Sequence, residues 1–189
     1  VAGTLPRLVE LDDLRGDLQM HSTWSDGTTS IEGMARACAD LGYQYLAITD
    51  HSQAMAMLQG LDAKKAREQW KEIDQVRERV PEIDILRSAE VDILKDGALD
   101  LPDDILEELD IVVISVHSFM DQDRRTMTDR VLRAMSHPTV DILAHPTGRQ
   151  LNKREPFALD VEAVLEAAAE LSVAVELNAN PRRLDLSDA

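Results

Sequence analysis

The sequence predicts an α/β fold of parallel βα units, and three observations point to it. Short apolar, β-branched runs alternate with longer stretches at helical spacing. Four of those runs lead into a histidine: Gly16–Met20 into His21, Tyr45–Thr49 into His51, Ile111–Val116 into His117 and Val140–Ala144 into His145. A fifth, Ile83–Ala89, stops at Glu90. Ligand-bearing residues at run ends suit a parallel sheet, where ligands gather at the carboxyl ends of the strands.

The elements follow in order. Residues 1–14 carry Pro6 and the acidic stretch Glu10-Leu11-Asp12-Asp13, and they read as a linker leading into a domain that spans residues 15–189. Gly16–Met20 is the first strand. Ser30 is placed as the N-cap of a helix running to Leu41. Ile31, Met34, Ala35, Cys38 and Leu41 share one face of it, Cys38 as a buried core residue, and Gly42 marks its end. Tyr45–Thr49 is the second strand. Leu61–Val80 is a charged helix with Trp70, Ile73 and Val76 on its apolar face, closed by Pro81. Ile83–Ala89 is the third strand, and Asp96-Gly97 is a turn. A short acidic helix is expected from Pro102 through Leu109. The carboxylates between Asp100 and Asp110 fall on several of its sides, as on a solvated face.

Ile111–Val116 is continuously apolar, as a strand buried on both faces should be. Asp123–Ser136 is the next helix, and His137 at its end reads as structural. Val140–Ala144 is a strand. The helix Asp160–Leu171 carries Val161, Val164, Leu165 and Ala168 as its stripe. Val173–Leu177 is the last strand and leads into Asn178-Ala179-Asn180-Pro181-Arg182-Arg183.

Composition bounds the function. A chain of 189 residues suits one domain with a sizeable core. Aromatic residues are only 3%, so that core must be built from Leu, Val, Ile and Ala. The formal net charge of -16 argues against a basic nucleic-acid surface or binding to an anionic membrane. It leaves room for a phosphate substrate, because bound divalent cations reverse the local field. The single cysteine excludes an internal disulfide and fits a reducing cytoplasm. No apolar run approaches the ~18 residues that a membrane span needs.

Four histidines at equivalent strand ends, joined by Glu90 and Asp26, suggest one metal cluster. Imidazole with carboxylate suits Zn, Mn or Fe. No cysteine stands at a strand end, which disfavours a thiolate structural zinc site. Ions clustered this way serve phosphoester hydrolysis, and Glu90 is placed to bridge two of them. Catalytic roles fall to His21, Asp26 and Glu90. Arg124, Arg125, Arg149, Arg154, Arg182 and Arg183 lie just past the ligand strands. Among them Arg149 and Arg182 are assigned to substrate phosphate, Arg149 as the best placed. No nucleophile elbow, P-loop or Rossmann fingerprint is present.

The motifs Asp17-Leu18-Gln19-Met20-His21 through Ser25-Asp26-Gly27, Ile48-Thr49-Asp50-His51, Ala89-Glu90-Val91-Asp92, Ser115-Val116-His117 and Ala144-His145-Pro146 resemble those of a PHP (polymerase and histidinol phosphatase) domain. His145-Pro146-Thr147-Gly148-Arg149 and Glu176 to Leu186 resemble the form found at the C-terminus of bacterial family X DNA polymerases. The resemblance implies a distorted (β/α)7 TIM-like barrel and up to three metal ions. The implied activity is manganese-dependent phosphoester hydrolysis, in the polymerases a 3′-5′ exonuclease or DNA 3′-end-cleaning function related to repair. The implied partners are polymerase domains of the same parent protein. The implied ligands form three sub-sites: Glu90, His117 and His145; His21 and Glu90, with Gln19 in place of the usual histidine; and Asp26 with His51.

The family's final strand-end motif of Asp-x-His type does not follow Leu177, so the chain is expected to be C-terminally truncated. Its barrel then lacks the last strand, and fewer than three ions are expected. Two alternatives remain. One is a stand-alone phosphatase for a small phosphate monoester. The other is a degenerate domain with a structural metal, packed against a polymerase.

Overall fold

Six strands pair in parallel and in chain order, β1 (Gly16–Met20), β2 (Tyr45–Ile48), β3 (Asp84–Asp92), β4 (Ile111–Ser115), β5 (Ile142–Leu143) and β6 (Ala174–Val175). Helices α1 (Ile31–Asp40), α2 (Ala63–Arg79), α3 (Asp103–Leu106), α4 (Arg124–Met135) and α5 (Val161–Leu171) alternate with them. The structure is a computed structural model describing residues 7–54 and 59–186. Residues 1–6 of the expected linker and 187–189 of the expected domain therefore lie outside the described residues.

The sheet curls. Residues of β1 and of β5–β6 line the two sides of one cavity of about 410 Å³. The six expected strands are all present as a partial barrel of α/β type.

Local chemistry sets the helix starts. Ser30, Asp62, Asp123 and Asp160 are N-caps, and each side chain accepts the backbone N–H three residues on. Ile31, Met34, Ala35 and Cys38 of α1 are buried, and so are Trp70, Ile73 and Val76 of α2. β4 at the centre of the sheet is almost wholly buried, whereas the edge strand β1 is only half-buried. Ile48, Ile85, Ile114 and Met127 anchor a single core cluster.

Four expectations needed correction. Leu41 is 70% exposed, because it is the C-cap of α1 and has left the helical face. Leu165 is 42% exposed. Helix α5 packs on α4 and the edge strand β6, so only Val164 and Ala168 of its stripe are buried. The acidic helix shrinks to Asp103–Leu106, since Glu107 and Glu108 would oppose the dipole at its C-terminal end. Asp100 leaves the solvated face: it is half-buried and accepts the Ala54 N–H at 2.5 Å, and burial raises its pKa.

Candidate metal centre

The candidate ligands gather near the carboxyl ends of the strands, with one correction to the expected order: β3 does not stop at Glu90 but runs on to Asp92, because Val91 and Asp92 still pair with Ile114 and Ser115 of β4. The β1–β2 pair closes with the Thr49 N–H donating to the Met20 carbonyl at 2.8 Å, and the chain then turns sharply at His21. Asp50 holds that turn. It is fully buried and accepts from Ser22 N (2.7 Å), Ser22 Oγ (2.5 Å), Ser25 Oγ (2.6 Å) and Gln69 Nε2 (2.7 Å). A buried carboxylate persists only when its oxygens are satisfied in this way. Gly27 completes the turn, because a Cβ there would drive into the His21 carbonyl. Asp26 is thereby brought back to His21, with Oδ1 3.6 Å from Nδ1.

Glu90 is the hub, and it is 1% exposed. Register places it level with His51 on one side and Val113 on the other. Its Oε2 lies 3.3 Å from His21 Nε2 and 3.5 Å from His51 Nδ1. Its Oε1 lies 2.9 Å from His145 Nε2 and 3.4 Å from His117 Nε2. The imidazole rings follow one another round this carboxylate, with centroids 4.4, 4.9 and 5.1 Å apart from His21 to His51 to His117 to His145. Two triads result, His21–His51–Glu90 and Glu90–His117–His145, with donor atoms inside each within 4.8 Å of one another.

Further carboxylates aim the ligands. Asp92, buried, accepts the His117 N–H at 3.0 Å, and its Oδ1 lies 3.4 Å from His117 Nδ1. Glu176 accepts the His145 N–H at 2.5 Å and is itself held by Asn178 Nδ2 at 3.0 Å. Buried Asp185 accepts Thr147 N–H and Oγ–H, which fixes the loop after His145.

Electrostatics follow from this packing. Burial alone would raise the Glu90 pKa, but hydrogen bonds from His117, His145 and His21 outweigh it and hold the carboxyl well below the usual carboxylate range. Burial works against protonated His117, yet hydrogen bonds to Asp92 and Glu90 and their charge push its pKa up to about 9. His21 is raised too: burial lowers it, and Glu90, with Asp26 and Asp50, more than compensates. His51 is lowered, first by burial and then by the neighbouring His21 and His117, against the pull of Glu90.

The donor set fits divalent metal ions. Buried Nδ1 atoms of His21, His51 and His145 have no hydrogen-bond partner. Such atoms are costly unless something else occupies them. Imidazole nitrogens and a shared carboxylate supply borderline donors, and no thiolate is present.

All seven expected ligands, Gln19, His21, Asp26, His51, Glu90, His117 and His145, line one cavity of about 430 Å³. The arginines on its wall are Arg154 and Arg183. Arg149 is engaged elsewhere. Its guanidinium donates to the carbonyls of Arg183 and Leu184 and does not line the cavity. Arg182 lines the adjoining cavity instead. Met120, Gln150 and Asn178 complete the wall and were not foreseen. Asp50 and Asp92 were also missed as supports, although both flank expected ligands closely in sequence. His137 does not line this cavity, and its Nδ1 lies 2.8 Å from Thr139 Oγ1.

A curled parallel βα sheet whose strand ends converge on a carboxylate shared by two histidine pairs defines a class: proteins able to hold clustered metal ions at a barrel mouth. The chain belongs to the PHP domain family, whose model matches residues 17–180. It is 48% identical over 179 residues to the DNA polymerase/3′-5′ exonuclease PolX of Bacillus subtilis, covering 95% of this chain and 31% of that protein. It is 32% identical over 155 residues to a probable phosphatase of Caldanaerobacter subterraneus, covering 80% of this chain and 56% of that protein. A probable phosphatase of Thermoanaerobacter matches at 31% identity over 156 residues, 79% of this chain and 58% of that protein. The chain thus spans about a third of the first relative and little more than half of the others. Among the described residues, no helix is long and apolar enough to cross a membrane.

Proposed function

We propose that the chain is the PHP domain of a bacterial family X DNA polymerase: a metal-dependent phosphoester hydrolase that trims DNA 3′ ends in the 3′-5′ direction, in the cytoplasm, beside polymerase domains in one parent protein. The observation that carries this is the division of Glu90, with one oxygen facing His21 and His51 and the other facing His117 and His145. Glu90 would then serve an ion held by either histidine pair. Mn²⁺ or Zn²⁺, and Fe as a third choice, suit these donors. Such ions, when bound, supply hydroxide from water near neutral pH and offset charge on the phosphate.

The protein's own groups do the rest. His117 and His145 would hold one ion and His21 and His51 another, each with Glu90. Asp26 Oδ1, 3.6 Å from His21 and 3.8 Å from His51, stands partly exposed at the rim, where it can take a third ligand position or receive a proton. Gln19 lines the same cavity. Arg183 faces the same cavity with Nη1 unpartnered and can hold non-bridging phosphate oxygens, whereas Arg154 on the same wall already donates Nε and Nη2 to the Gly148 carbonyl and has only Nη1 to offer. The buried anchors Asp50 and Asp92 keep His21 and His117 aimed, so little reorganisation is needed during reaction.

A second reading, a phosphatase for a small monoester, is favoured by the match to a probable phosphatase over 80% of this chain. A single assay compares end-labelled single-stranded DNA with nitrophenyl phosphate in manganese. Stepwise shortening from the 3′ end supports the leading reading. Turnover of nitrophenyl phosphate alone replaces it with the second, and inertness toward both in every metal tried removes the enzyme assignment.

A further inference from the structure

A second cavity, of about 450 Å³, adjoins the metal cavity and shares Gln150 and Arg183 with it. Every charged side chain on its wall is cationic: Lys153, Arg182 and Arg183. Among the described residues none of the three forms an ion pair, in a chain with 36 acidic and 20 basic residues. Arg183 Nη1 is buried without a hydrogen-bond partner. Arg154 stands close by, tied through Nε and Nη2 to the Gly148 carbonyl, and burial first, then the charge of Arg183, lowers its pKa. Two guanidiniums kept together with no carboxylate between them repel each other until an anion enters.

The wall is also held in shape. Leu151 N–H donates to the Arg182 carbonyl at 2.7 Å, which ties the 150–154 turn to the 180–183 turn. Arg154 N–H returns to the Gln150 carbonyl at 2.8 Å, and Arg183 N–H to the Asn180 carbonyl at 2.7 Å.

We infer that this cavity is a phosphodiester subsite holding the strand on the 5′ side of the scissile bond, so that the centre takes a polynucleotide end in preference to a small ester. The inference rests on the phosphoesterase reading of the metal centre and deepens it. Phosphate contacts from flexible cations position a strand without reading its sequence. The local cationic wall also explains how so acidic a chain can accept a polyanion. Arg183, common to both cavities, would contact the scissile phosphate and the one before it.

The test is fluorescence anisotropy of the full chain in manganese with 5′-labelled, phosphorothioate-linked hexathymidylate, titrated with sodium chloride. Lys153→Ala, Arg182→Ala and their combination are compared. Both side chains are exposed, and urea midpoints check that folding is kept. The double variant should bind roughly tenfold or more weakly at low salt. Its slope of log Kd against log salt should fall by about 1.4, about 0.7 for each lost phosphate contact on a single strand. Lys153→Arg should keep the parent slope. An unchanged slope and affinity in the double variant, or hexathymidylate binding no tighter than thymidine monophosphate, overturns the inference even if DNA is still cleaved. Loss of binding in the double variant without any DNA cleavage by the parent chain keeps the subsite and removes the phosphoesterase reading.

Discussion

Freed of metal with EDTA, the chain should lose stability as pH rises from 7 to 9, and His117 should be the cause. Its pKa is about 9 in the folded chain, since Asp92 and Glu90 overcome the opposing effect of burial. An unfolded imidazole titrates near 6.5. The folded state therefore holds a proton that the unfolded state releases between these values. A raised pKa of this kind stabilises fully below about 6.5 and is lost as pH climbs through about 9. The full effect is about 3 kcal/mol, of which about 2 kcal/mol lies between pH 7 and 9. His21, also raised, acts in the same direction. His51 is lowered and has the opposite sign, but it acts only below about 6.5, outside this window. Urea unfolding at pH 7 and pH 9 measures the change in parent and His117→Asn chains. The parent should lose about 2 kcal/mol more than the variant. Equal losses, or stability that rises with pH in the parent, would refute the ion-pair geometry around Glu90. With saturating metal the trend should reverse between pH 5.5 and 7.5, because imidazoles must shed protons to bind an ion.

Other outcomes follow from the same geometry. Glu90→Ala should lower metal content by elemental analysis more than Asp26→Ala, because Glu90 faces both histidine pairs and Asp26 only one; equal losses would contradict the bridging role. Asp50→Ala leaves four donors without their acceptor and should cost about 3 kcal/mol in urea unfolding, and a loss under about 1 kcal/mol would show that the 21–27 turn does not depend on it. Ile114→Ala, in the fully buried centre of β4, should cost about 2–5 kcal/mol, with a smaller loss indicating that the strand repacks.

Much of this protein was legible in its sequence, because the relevant physics is local. Alternation of β-branched runs with helical stripes gave the parallel βα order, and Ser30 marked the start of α1; the caps Asp62, Asp123 and Asp160 emerged only with the structure. A histidine or glutamate near a strand end needs only the strand to be real for its side chain to reach the sheet's mouth, so the residues that line the cavity could be expected without coordinates. The chain's own string of residues also carried the Asp26 turn, through Gly27.

Tertiary structure alone decided the matters that depend on what lies opposite. Leu41 and Leu165 carry the same pattern signal as their buried neighbours, yet Leu41 is exposed because the helix ends before it and Leu165 because no described element covers its side of α5. Arg149 and Arg183 are the same residue type in similar loops. One spends its guanidinium on backbone carbonyls, and the other turns into the cavity. That choice is made by hydrogen bonds between segments more than thirty residues apart in sequence, which no periodicity records. The pairing of Glu90 oxygens with two histidine pairs is of the same kind: composition supplies the donors, but the curl of the sheet decides which donors meet.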